Sequence, residues 1–422
     1  MTVADRPTVL VLGGGFGGVT AARELAKANA DVIVVDAHDY HTFQPLLYQV
    51  ATDLLETSTV GHPLRDLFHG QDNARVHVAT ATAIDPEART VSFDRSDPIR
   101  YDHLILGLGA TPRFFGVPGA AEHGFPMYTL PDAVRLRRHV LERWEAADTD
   151  PSVIEDGALN VVVVGGGPTG VETAGAMIEL YRSNFDEDYP DVDVASQATV
   201  TLVEASGKLL SMFPEHLGQY AVEALTHRGV DVRLGETVAS VEPTRVTLGS
   251  GEVLPAHTLV WGAGLGANPL VHDLGVTLER GDRVPVDETL RVVGRPEIHA
   301  VGDAAWITDA ATGEVLPQLG SVAMQAGRRA GRNIGRILRE REVKPFRYKD
   351  KGSMATVGRK AAVAQMPHGV TLTGEKAWLA WGTVHLALLS TGEDRARATT
   401  DWAYAFFDRE RAQRISVDVD RD

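Results

Sequence analysis

The chain has 422 residues, of which 44% are hydrophobic and 23% charged, a composition typical of a folded protein with more than one core. Its formal net charge of −16, with no Lys/Arg-rich block to oppose it, argues against a nucleic acid partner. The chain contains no cysteine, which excludes disulfides, thiolate metal ligands and a redox-active cysteine pair, and no metal site is predicted. No apolar run approaches the ~20 residues that span a bilayer.

The first predicted elements are a buried strand, "TVLVL", a glycine-rich turn and a helix, "VTAARELAKA". Gly13, Gly15 and Gly18 have the spacing G-x-G-x-x-G, and a second strand ends in Asp36. In this pattern the glycines permit a tight turn, close approach to a pyrophosphate and close helix packing, and the acid accepts hydrogen bonds from a ribose. The predicted dinucleotide-binding residues are Gly13, Gly15, Phe16, Gly17, Gly18 and Asp36.

The same pattern recurs about 150 residues later, in "VVVVGGGPTGVETA" at residues 161 to 174. A helix follows the turn, and the next predicted strand, "ATVTLVEA", ends in Glu204 with no arginine directly after it. Two complete patterns imply two dinucleotides bound together, and the economical pair is FAD at the first turn and NADH at the second. The residues predicted to bind NADH are Gly165, Gly167, Pro168, Thr169, Gly170, Glu172 and Glu204.

A third signal, "PEIHAVGDAA" at residues 296 to 305, is a predicted strand ending in Gly302-Asp303. In flavoproteins with two dinucleotide sites, such a late Gly-Asp returns to the first domain and its carboxylate holds the ribityl chain of FAD. The alternative for Asp303 is a turn-capping aspartate. "YDHLILGLGATP" at residues 101 to 112 resembles the strand and turn that close an FAD domain. Further predicted FAD contacts are Ala81, Gly109, Asp303 and Ala323.

These elements predict an α/β fold with two Rossmann-like dinucleotide-binding domains, the NADH domain being inserted within the FAD domain. The predicted boundaries are 1–116 for the first segment of the FAD domain and 117–294 for the NADH domain. Residues 295–345 form the second segment of the FAD domain. Residues 346–422 form a small C-terminal region with amphipathic helices.

The chain resembles the type II NADH dehydrogenases, the single-subunit NADH:quinone oxidoreductases, over nearly its whole length. The motifs that carry the resemblance are "HTFQPLLYQVAT", "GGGPTGVETAG", "AVGDAA", "LPQLGSVAMQAG" and "YKDKGSMATVGRKAAVA". The last is the most specific, and the absence of cysteine fits, because disulfide reductases and sulfide:quinone reductases of this fold need cysteines. The resemblance implies transfer of two electrons from NADH through FAD to a quinone, without proton pumping.

The resemblance also implies roles for two residues as catalytic groups. Glu172 follows the second glycine turn, and in the family this glutamate is implicated in proton handling linked to the quinone; its alternative role is that of a helix-start carboxylate. Gln325 matches the second glutamine of the family's A-Q-x-A-x-Q, whereas Ser321 replaces the first. Asp53 stands where a glycine is common. These two departures leave the identity of the acceptor open.

Two predicted C-terminal helices suit a membrane surface. "KAWLAWGTVHLALLS" at residues 376 to 390 contains Trp378 and Trp381, and "TTDWAYAFFDRERAQRI" at residues 399 to 415 contains Trp402, with Arg409, Arg411 and Arg414 after it. Such helices resemble the family's amphipathic anchor, so we expect peripheral attachment to the cytoplasmic side of the cell membrane. The alternative is that they pack on the body or bury a homodimer interface, with the protein soluble in the cytoplasm.

Two other functions fit the same fingerprints. One is a soluble NADH-dependent reductase that feeds a ferredoxin-like or other small acceptor. The other is a redox sensor that holds FAD and NADH without turnover. Reoxidation by quinones separates both from a quinone reductase.

Overall fold

The computed structural model describes residues 6–407, and it divides them between two compact units. The first unit comprises the described residues up to Thr42, His62–Thr111 and Leu265–Asp350. The second unit comprises Phe43–Gly61, Pro112–Gly264 and the described residues from Lys351 onward. Arg409, Arg411 and Arg414 lie outside the described residues.

The first unit is built on a six-stranded sheet whose strands are parallel except at one edge. Its central strand, Thr8–Leu12, is buried along nearly its whole length, as its apolar run predicts. In spatial order the strands are Arg291–Val292, Arg295–Ala300, His103–Leu106, Thr8–Leu12, Asp31–Asp36 and Ala74–Val78.

Two helices of the first unit, Phe16–Glu24 and Gly320–Ile337, pack with their backbones in close approach. A Cβ atom on Gly327 would lie 2.1 Å from the carbonyl oxygen of Gly17, and one on Gly331 would lie 2.4 Å from that of Ala21. Glycine is therefore required at both crossing points. The remaining elements of this unit are the strands Tyr40–Thr42, Ala81–Asp85, Thr90–Phe93, Ile99–Arg100, Leu265–Ala267, Val284–Pro285 and Ala305–Trp306 and the 3₁₀ helices Asp66–Phe68, Pro269–Leu274 and Gly302–Ala304. The short strands Gly61–Pro63 and Ala110–Pro112 lie across the borders between units.

The second unit contains a five-stranded parallel sheet. Its central strand, Val161–Val164, consists of four buried valines. The strand order is Gly124–Pro126, Thr258–Trp261, Val161–Val164, Val200–Glu204 and Val230–Leu234. Two antiparallel sheets complete this unit, one formed by Val238–Glu242, Arg245–Leu248 and Val253–Pro255 and the other by Ser353–Gly358, Ala361–Gln365 and Thr371–Thr373.

The second unit holds most of the helices. The helix that opens at the second glycine turn, Pro168–Leu180, continues into a π-helical turn, Tyr181–Phe185. Its Gly175 lies against the strand Ser353–Gly358, because a Cβ atom there would be 2.3 Å from the carbonyl oxygen of Val357. The other helices are Gln44–Leu46, Leu47–Ala51, Thr57–Val60, Ala120–His123, Leu130–Thr149, Ser152–Glu155, Asp186–Asp188, Val194–Gln197, Glu215–His227, Pro367–Gly369, Gly374–Leu388 and Gly392–Phe407.

The compact units do not divide at the predicted domain boundaries. The first unit resumes at Leu265 rather than at residue 295, because Val271, Leu274 and Val284 are buried in its core. The second unit also takes in Phe43–Gly61 and the C-terminal region. Which nucleotide each unit binds stays a prediction. Among residues 6–407, no helix combines the length and the apolar character needed to cross a bilayer.

Candidate functional site

The first glycine turn has the stereochemistry that its sequence predicts. Gly13 has φ +103°, and a Cβ atom there would lie 2.1 Å from the carbonyl oxygen of Gly107. A Cβ atom on Gly18 would lie 1.9 Å from the carbonyl oxygen of Gly13. A Cβ atom on Gly15, at the start of the helix, would meet no protein atom within 4 Å among the described residues. The fold therefore requires Gly13 and Gly18, whereas Gly15 leaves space at a helix N-terminus suited to a phosphate.

Asp36 is fixed by backbone donors at the end of its strand. Its Oδ2 accepts a hydrogen bond from the N–H of Gly14 at 2.6 Å, and its Oδ1 accepts one from the N–H of His38 at 2.8 Å. The carboxylate is thereby held beside the turn, where a ribose bound at this fingerprint would lie. The part played by Gly14 was not predicted.

The second glycine turn repeats this geometry. Gly165 has φ +108°, and a Cβ atom on Gly170 would lie 1.8 Å from the carbonyl oxygen of Gly165. A Cβ atom on Gly167 would meet no protein atom within 4 Å in the described part of the chain. Pro168 occupies the first turn of the helix, where its missing N–H costs no hydrogen bond, and Thr169 follows it. This turn therefore offers a second phosphate-sized space at a helix start.

Backbone N–H groups fix the carboxylate of Glu204 in the same way as they fix that of Asp36. Its Oε2 accepts a hydrogen bond from the N–H of Gly166 at 2.5 Å, and its Oε1 accepts one from the N–H of Ser206 at 2.7 Å. Each turn thus positions an acid through the glycine that precedes its open position. Both acids are suited to the hydroxyl groups of a ribose.

Other predicted FAD contacts in the first unit come together at the start of the helix Gly320–Ile337. A Cβ atom on Gly302 would lie 3.4 Å from the Cβ of Ala323, and one on Gly17 would lie 3.5 Å from the carbonyl oxygen of Ala323. A Cβ atom on Gly320 would lie 3.3 Å from the ring of Phe16. Asp303 follows Gly302 directly.

Two further predicted FAD contacts lie on other elements of the first unit. Ala81 begins the strand Ala81–Asp85 and is partly exposed. Gly109 has φ +65°, which favours glycine there for backbone reasons alone. Their assignment to FAD stays a prediction.

Gln325 has a structural partner that its sequence position does not indicate. Its Nε2 donates to the carbonyl oxygen of Lys349 at 2.9 Å, and its Oε1 accepts from the N–H of Lys349 at 3.0 Å. Ser321, one turn earlier, shares a hydrogen bond of 2.9 Å with the hydroxyl of Tyr348. Both side chains therefore anchor the same short segment of the first unit, and a catalytic role for Gln325 stays a prediction.

Glu172 lies in the wall of a cavity of about 280 Å³ within the second unit. The indole rings of Trp378, Trp381 and Trp402 also line this cavity. Burial raises the pKa of Glu172 to about 8, although a hydrogen bond from the N–H of Thr356 to its Oε1, 3.1 Å long, acts in the opposite direction. Glu172 is not a helix-start carboxylate, because its helix begins at Pro168 and has no acidic residue in its first turn, where the helix dipole would lower a carboxyl pKa. With its raised pKa, Glu172 can hold a proton at neutral pH.

A chain of hydrogen bonds lies beside Glu172 in the same unit. The indole Nε1 of Trp402 donates to Gln49 Oε1, Gln49 Nε2 donates to the hydroxyl of Tyr48, and that hydroxyl bonds Thr356 Oγ1; each distance is 2.8 Å. None of these four residues was predicted to be functional. Three of them lie in the motifs "HTFQPLLYQVAT" and "YKDKGSMATVGRKAAVA", which were the available signal.

Asp53, where a glycine is common in the family, is 1% exposed and has φ +62°. Its Oδ1 lies 3.6 Å from the guanidinium of Arg137, on the helix Leu130–Thr149. The left-handed backbone explains why glycine suits this position. The nearby guanidinium offsets the cost of a buried carboxylate here.

Of the three tryptophans on the last two helices, two are buried and Trp378 is partly exposed. Trp381 is 1% exposed and Trp402 is 9% exposed, and both line the cavity. These two rings pack inside the second unit, so other side chains of the two helices would have to contact a membrane. The exposed apolar side chains of these two helices are Leu379, Val384, Leu388 and Tyr404.

Comparison with known proteins places this geometry in a class. Residues 7–327 match the pyridine nucleotide-disulphide oxidoreductase family, and residues 351–410 match the NDH2 C-terminal domain. The chain is 34% identical to the type II NADH:quinone oxidoreductase NdhA of Mycobacterium tuberculosis, over 97% of this chain and 89% of that protein. It is 29% identical to an internal alternative NAD(P)H-ubiquinone oxidoreductase of Arabidopsis thaliana, over 95% and 84% respectively.

The matched fold and the two glycine turns define a two-dinucleotide flavoprotein oxidoreductase. Within that class, the chain belongs to the type II NADH:quinone oxidoreductase family. The absence of cysteine excludes the disulfide chemistry for which the wider class is named. The structure also matches that of NDH2 from Plasmodium falciparum in complex with NADH, with a TM-score of 0.88 and 19% identity over 97% of this chain and all of that one. The predicted family, α/β fold class, enzyme class and cofactors, FAD and NADH, are confirmed.

Proposed function

We propose that this chain passes two electrons from NADH through FAD to a quinone, and that Glu172 supplies a proton to the quinone. The observation that carries the role of Glu172 is its carboxyl group, with a pKa of about 8, in a tryptophan-lined cavity. Reduction of a quinone to a hydroquinone consumes two electrons and two protons. The hydride of NADH carries both electrons and one proton, so one further proton must come from the protein or the solvent.

FAD fits the turn of the first unit, and NADH fits that of the second. The open space at Gly15 lets the backbone reach a pyrophosphate, and Asp36 is held where a ribose would lie. Gly167 and Glu204 offer the same pair of features to NADH. When bound, FAD supplies the redox chemistry by accepting hydride from NADH and passing the electrons on.

The cavity suits the ring of a quinone because three tryptophans line it and because hydrogen bonds fix the polar side chains of Tyr48, Gln49 and Thr356 in its wall. Indole rings offer flat apolar faces on which a quinone ring can stack. The proton on Glu172 can be donated to a carbonyl oxygen, which becomes a hydroxyl in the hydroquinone. Exclusion of bulk water by the tryptophans keeps the pKa of this carboxyl high between turnovers.

The electron acceptor that the reduced protein uses distinguishes a quinone reductase from a soluble reductase and from a redox sensor. NADH oxidation would be followed with a soluble quinone analogue, a ferredoxin and oxygen in parallel. We expect rapid turnover with the quinone alone. Turnover only with ferredoxin would favour a soluble reductase. Reduction by NADH without reoxidation by any acceptor would favour a redox sensor.

We also propose that the protein attaches peripherally to the cytoplasmic side of the cell membrane. The support is the exposed apolar side chains of Leu379, Val384 and Leu388 on one helix and Tyr404 on the next. Insertion of four such side chains would yield at most ~6 to 12 kcal/mol before ordering costs, enough for reversible binding.

The membrane proposal is tested by sedimentation with liposomes. Truncation is unsuitable, because it would remove Trp381 and Trp402 from the cavity wall. The double variant Leu379→Glu, Leu388→Glu leaves the cavity intact, and we expect it to lose sedimentation while retaining activity with a soluble quinone. If the unaltered protein stays in the supernatant but is dimeric, and the variant is monomeric, this face is a homodimer interface instead.

A further inference from the structure

The four side chains that connect Trp402 to Thr356 form a hydrogen-bond chain whose direction can be worked out. Trp402, Gln49, Tyr48 and Thr356 are 9%, 4%, 5% and 4% exposed, so water does not compete for their polar atoms. All four line the cavity that contains Glu172. Each hydrogen atom in such a buried chain needs an acceptor, because an unpaired polar group in the interior is costly.

Trp402 determines which atom donates and which accepts in each hydrogen bond of this series. An indole N–H can only donate, so the atom of the Gln49 amide that faces it must be the oxygen. The distance from Trp402 Nε1 to Gln49 Oε1 is 2.8 Å. The two ends of a glutamine amide are hard to tell apart by shape, but this partner removes the ambiguity. The amide nitrogen of Gln49 therefore faces Tyr48.

The next two links follow from the first. The amide nitrogen of Gln49 has only donor capacity, so the Tyr48 oxygen accepts from it at 2.8 Å. The hydrogen of the Tyr48 hydroxyl then has Thr356 Oγ1, 2.8 Å away, as its acceptor. Burial raises the pKa of Tyr48 well above its usual value, so this hydroxyl keeps its hydrogen.

Thr356 therefore receives a hydrogen bond from Tyr48 and retains its own hydroxyl hydrogen for another acceptor. Within residues 6–407, this hydroxyl bonds only Tyr48, and in that bond Thr356 is the acceptor. The backbone N–H of the same residue donates to Glu172 Oε1. Thr356 thus brings a hydroxyl donor to the cavity next to the carboxyl that holds the transferable proton.

We propose that the hydroxyl of Thr356 donates a hydrogen bond to a carbonyl oxygen of the quinone, and that Trp402, Gln49 and Tyr48 act as positioning residues that set its direction. The proposal rests on the proposed function, since the acceptor it recognises is a quinone. A carbonyl oxygen of the bound quinone can accept this hydrogen bond before any electron is transferred, so a buried, fixed donor adds to the affinity for the quinone. The hydrogen bonds among these four side chains only orient the hydroxyl of Thr356, and no proton has to move along them.

The test compares Thr356→Val with Thr356→Ser in the full-length holoenzyme. Valine keeps the shape of threonine, and the backbone N–H to Glu172 remains, but the hydroxyl is lost. We expect the KM for a soluble quinone analogue to rise about tenfold in Thr356→Val, the effect of losing one hydrogen bond worth ~1.4 kcal/mol. Thr356→Ser should recover most of the affinity. Thr373→Val, on an exposed strand position of the same sheet, should leave the KM unchanged.

Two further readouts separate this role from a structural one. Ferricyanide takes electrons without a carbonyl oxygen, so the ratio of quinone to ferricyanide activity should fall in Thr356→Val and stay constant in Thr373→Val. Trp402→Phe, which removes the donor that orients Gln49, should raise the quinone KM by a smaller factor. An unchanged quinone KM in Thr356→Val would overturn the inference while leaving the proposed function intact. Failure of the unaltered enzyme to reduce any quinone would instead overturn the proposed function.

Discussion

The glycines of each turn divide into those that the fold requires and those that a ligand would require. Gly18 and Gly170 each have a carbonyl oxygen within 2 Å of the position of a Cβ atom, at 1.9 and 1.8 Å. Gly15 and Gly167 have no protein atom within 4 Å of that position among the described residues. Packing therefore does not require glycine at the second pair, and we propose that an approaching pyrophosphate does.

Alanine substitutions distinguish the glycines that the fold requires from those that a ligand would require. We expect Gly15→Ala to bind FAD at least about tenfold more weakly, because the methyl group occupies the phosphate site. Gly167→Ala should raise the KM for NADH while FAD content is retained. Neither change should lower the urea midpoint of the FAD-free protein, whereas Gly170→Ala should. If Gly167→Ala has an unaltered KM for NADH, the second turn does not bind the pyrophosphate.

Glu204 predicts a preference for NADH over NADPH. Its carboxylate is held at the second turn by the N–H groups of Gly166 and Ser206, so a 2′-phosphate on the ribose would meet a fixed negative charge. Like charges ~4 Å apart cost roughly 1 to 4 kcal/mol, which is about 5- to 1,000-fold in affinity. The measurement is kcat/KM with each nucleotide, with Glu204→Gln as the matched variant. Equal efficiency with both nucleotides in the unaltered enzyme would contradict the assignment.

Among the elements, the second strand of the six-stranded sheet carries a buried histidine that the proposed function does not use. His299, on the strand Arg295–Ala300, is 0% exposed, and within residues 6–407 neither of its ring nitrogens has a hydrogen-bond partner. Burial, with a contribution from the nearby His103, lowers the pKa of His299 to about 3. The folded state therefore keeps this ring neutral across a pH range in which the unfolded chain binds a proton.

We expect the free energy of unfolding to fall as the pH drops below about 6.5, by up to ~1.4 kcal/mol per pH unit from this group, until the pKa near 3 is reached. His299→Leu removes the titrating group and should flatten the loss between about pH 6.5 and pH 5. The measurement is urea unfolding at several pH values, with the exposed His69→Gln as control. The same acid sensitivity in His299→Leu and in the control would show that other groups cause it.

The glycine turns were predictable because their demands are local. A strand, three glycines, a helix and an acid lie within about 30 residues, and backbone stereochemistry fixes what each can do. The cavity could not be derived in the same way. Gln49 and Thr356 are about 300 residues apart in the sequence, and no periodicity connects them. They are linked only in the folded unit, where both bond the hydroxyl of Tyr48.

In the whole molecule, the two C-terminal helices show that an amphipathic sequence pattern does not decide which apolar side chains are buried and which are exposed. The sequence predicts aromatic and apolar positions in Gly374–Leu388 but does not say which of them face the protein. Trp381 turned inward to the cavity, and Leu379 turned outward. One pair of helices thus contributes both the wall of the candidate quinone site and the surface proposed to meet the membrane.

In the proposed function, Glu172 holds the proton that the quinone receives. The most direct measurement is the pH dependence of kcat/KM for a soluble quinone, relative to ferricyanide activity, in the unaltered enzyme and in Glu172→Gln. The pKa of about 8 predicts that the unaltered enzyme loses quinone activity as the pH rises through 8, because the carboxyl loses its proton there. Glu172→Gln should be slower at neutral pH and should lack this decline. The same decline in both enzymes, or full quinone activity in the variant at every pH, would contradict the claim.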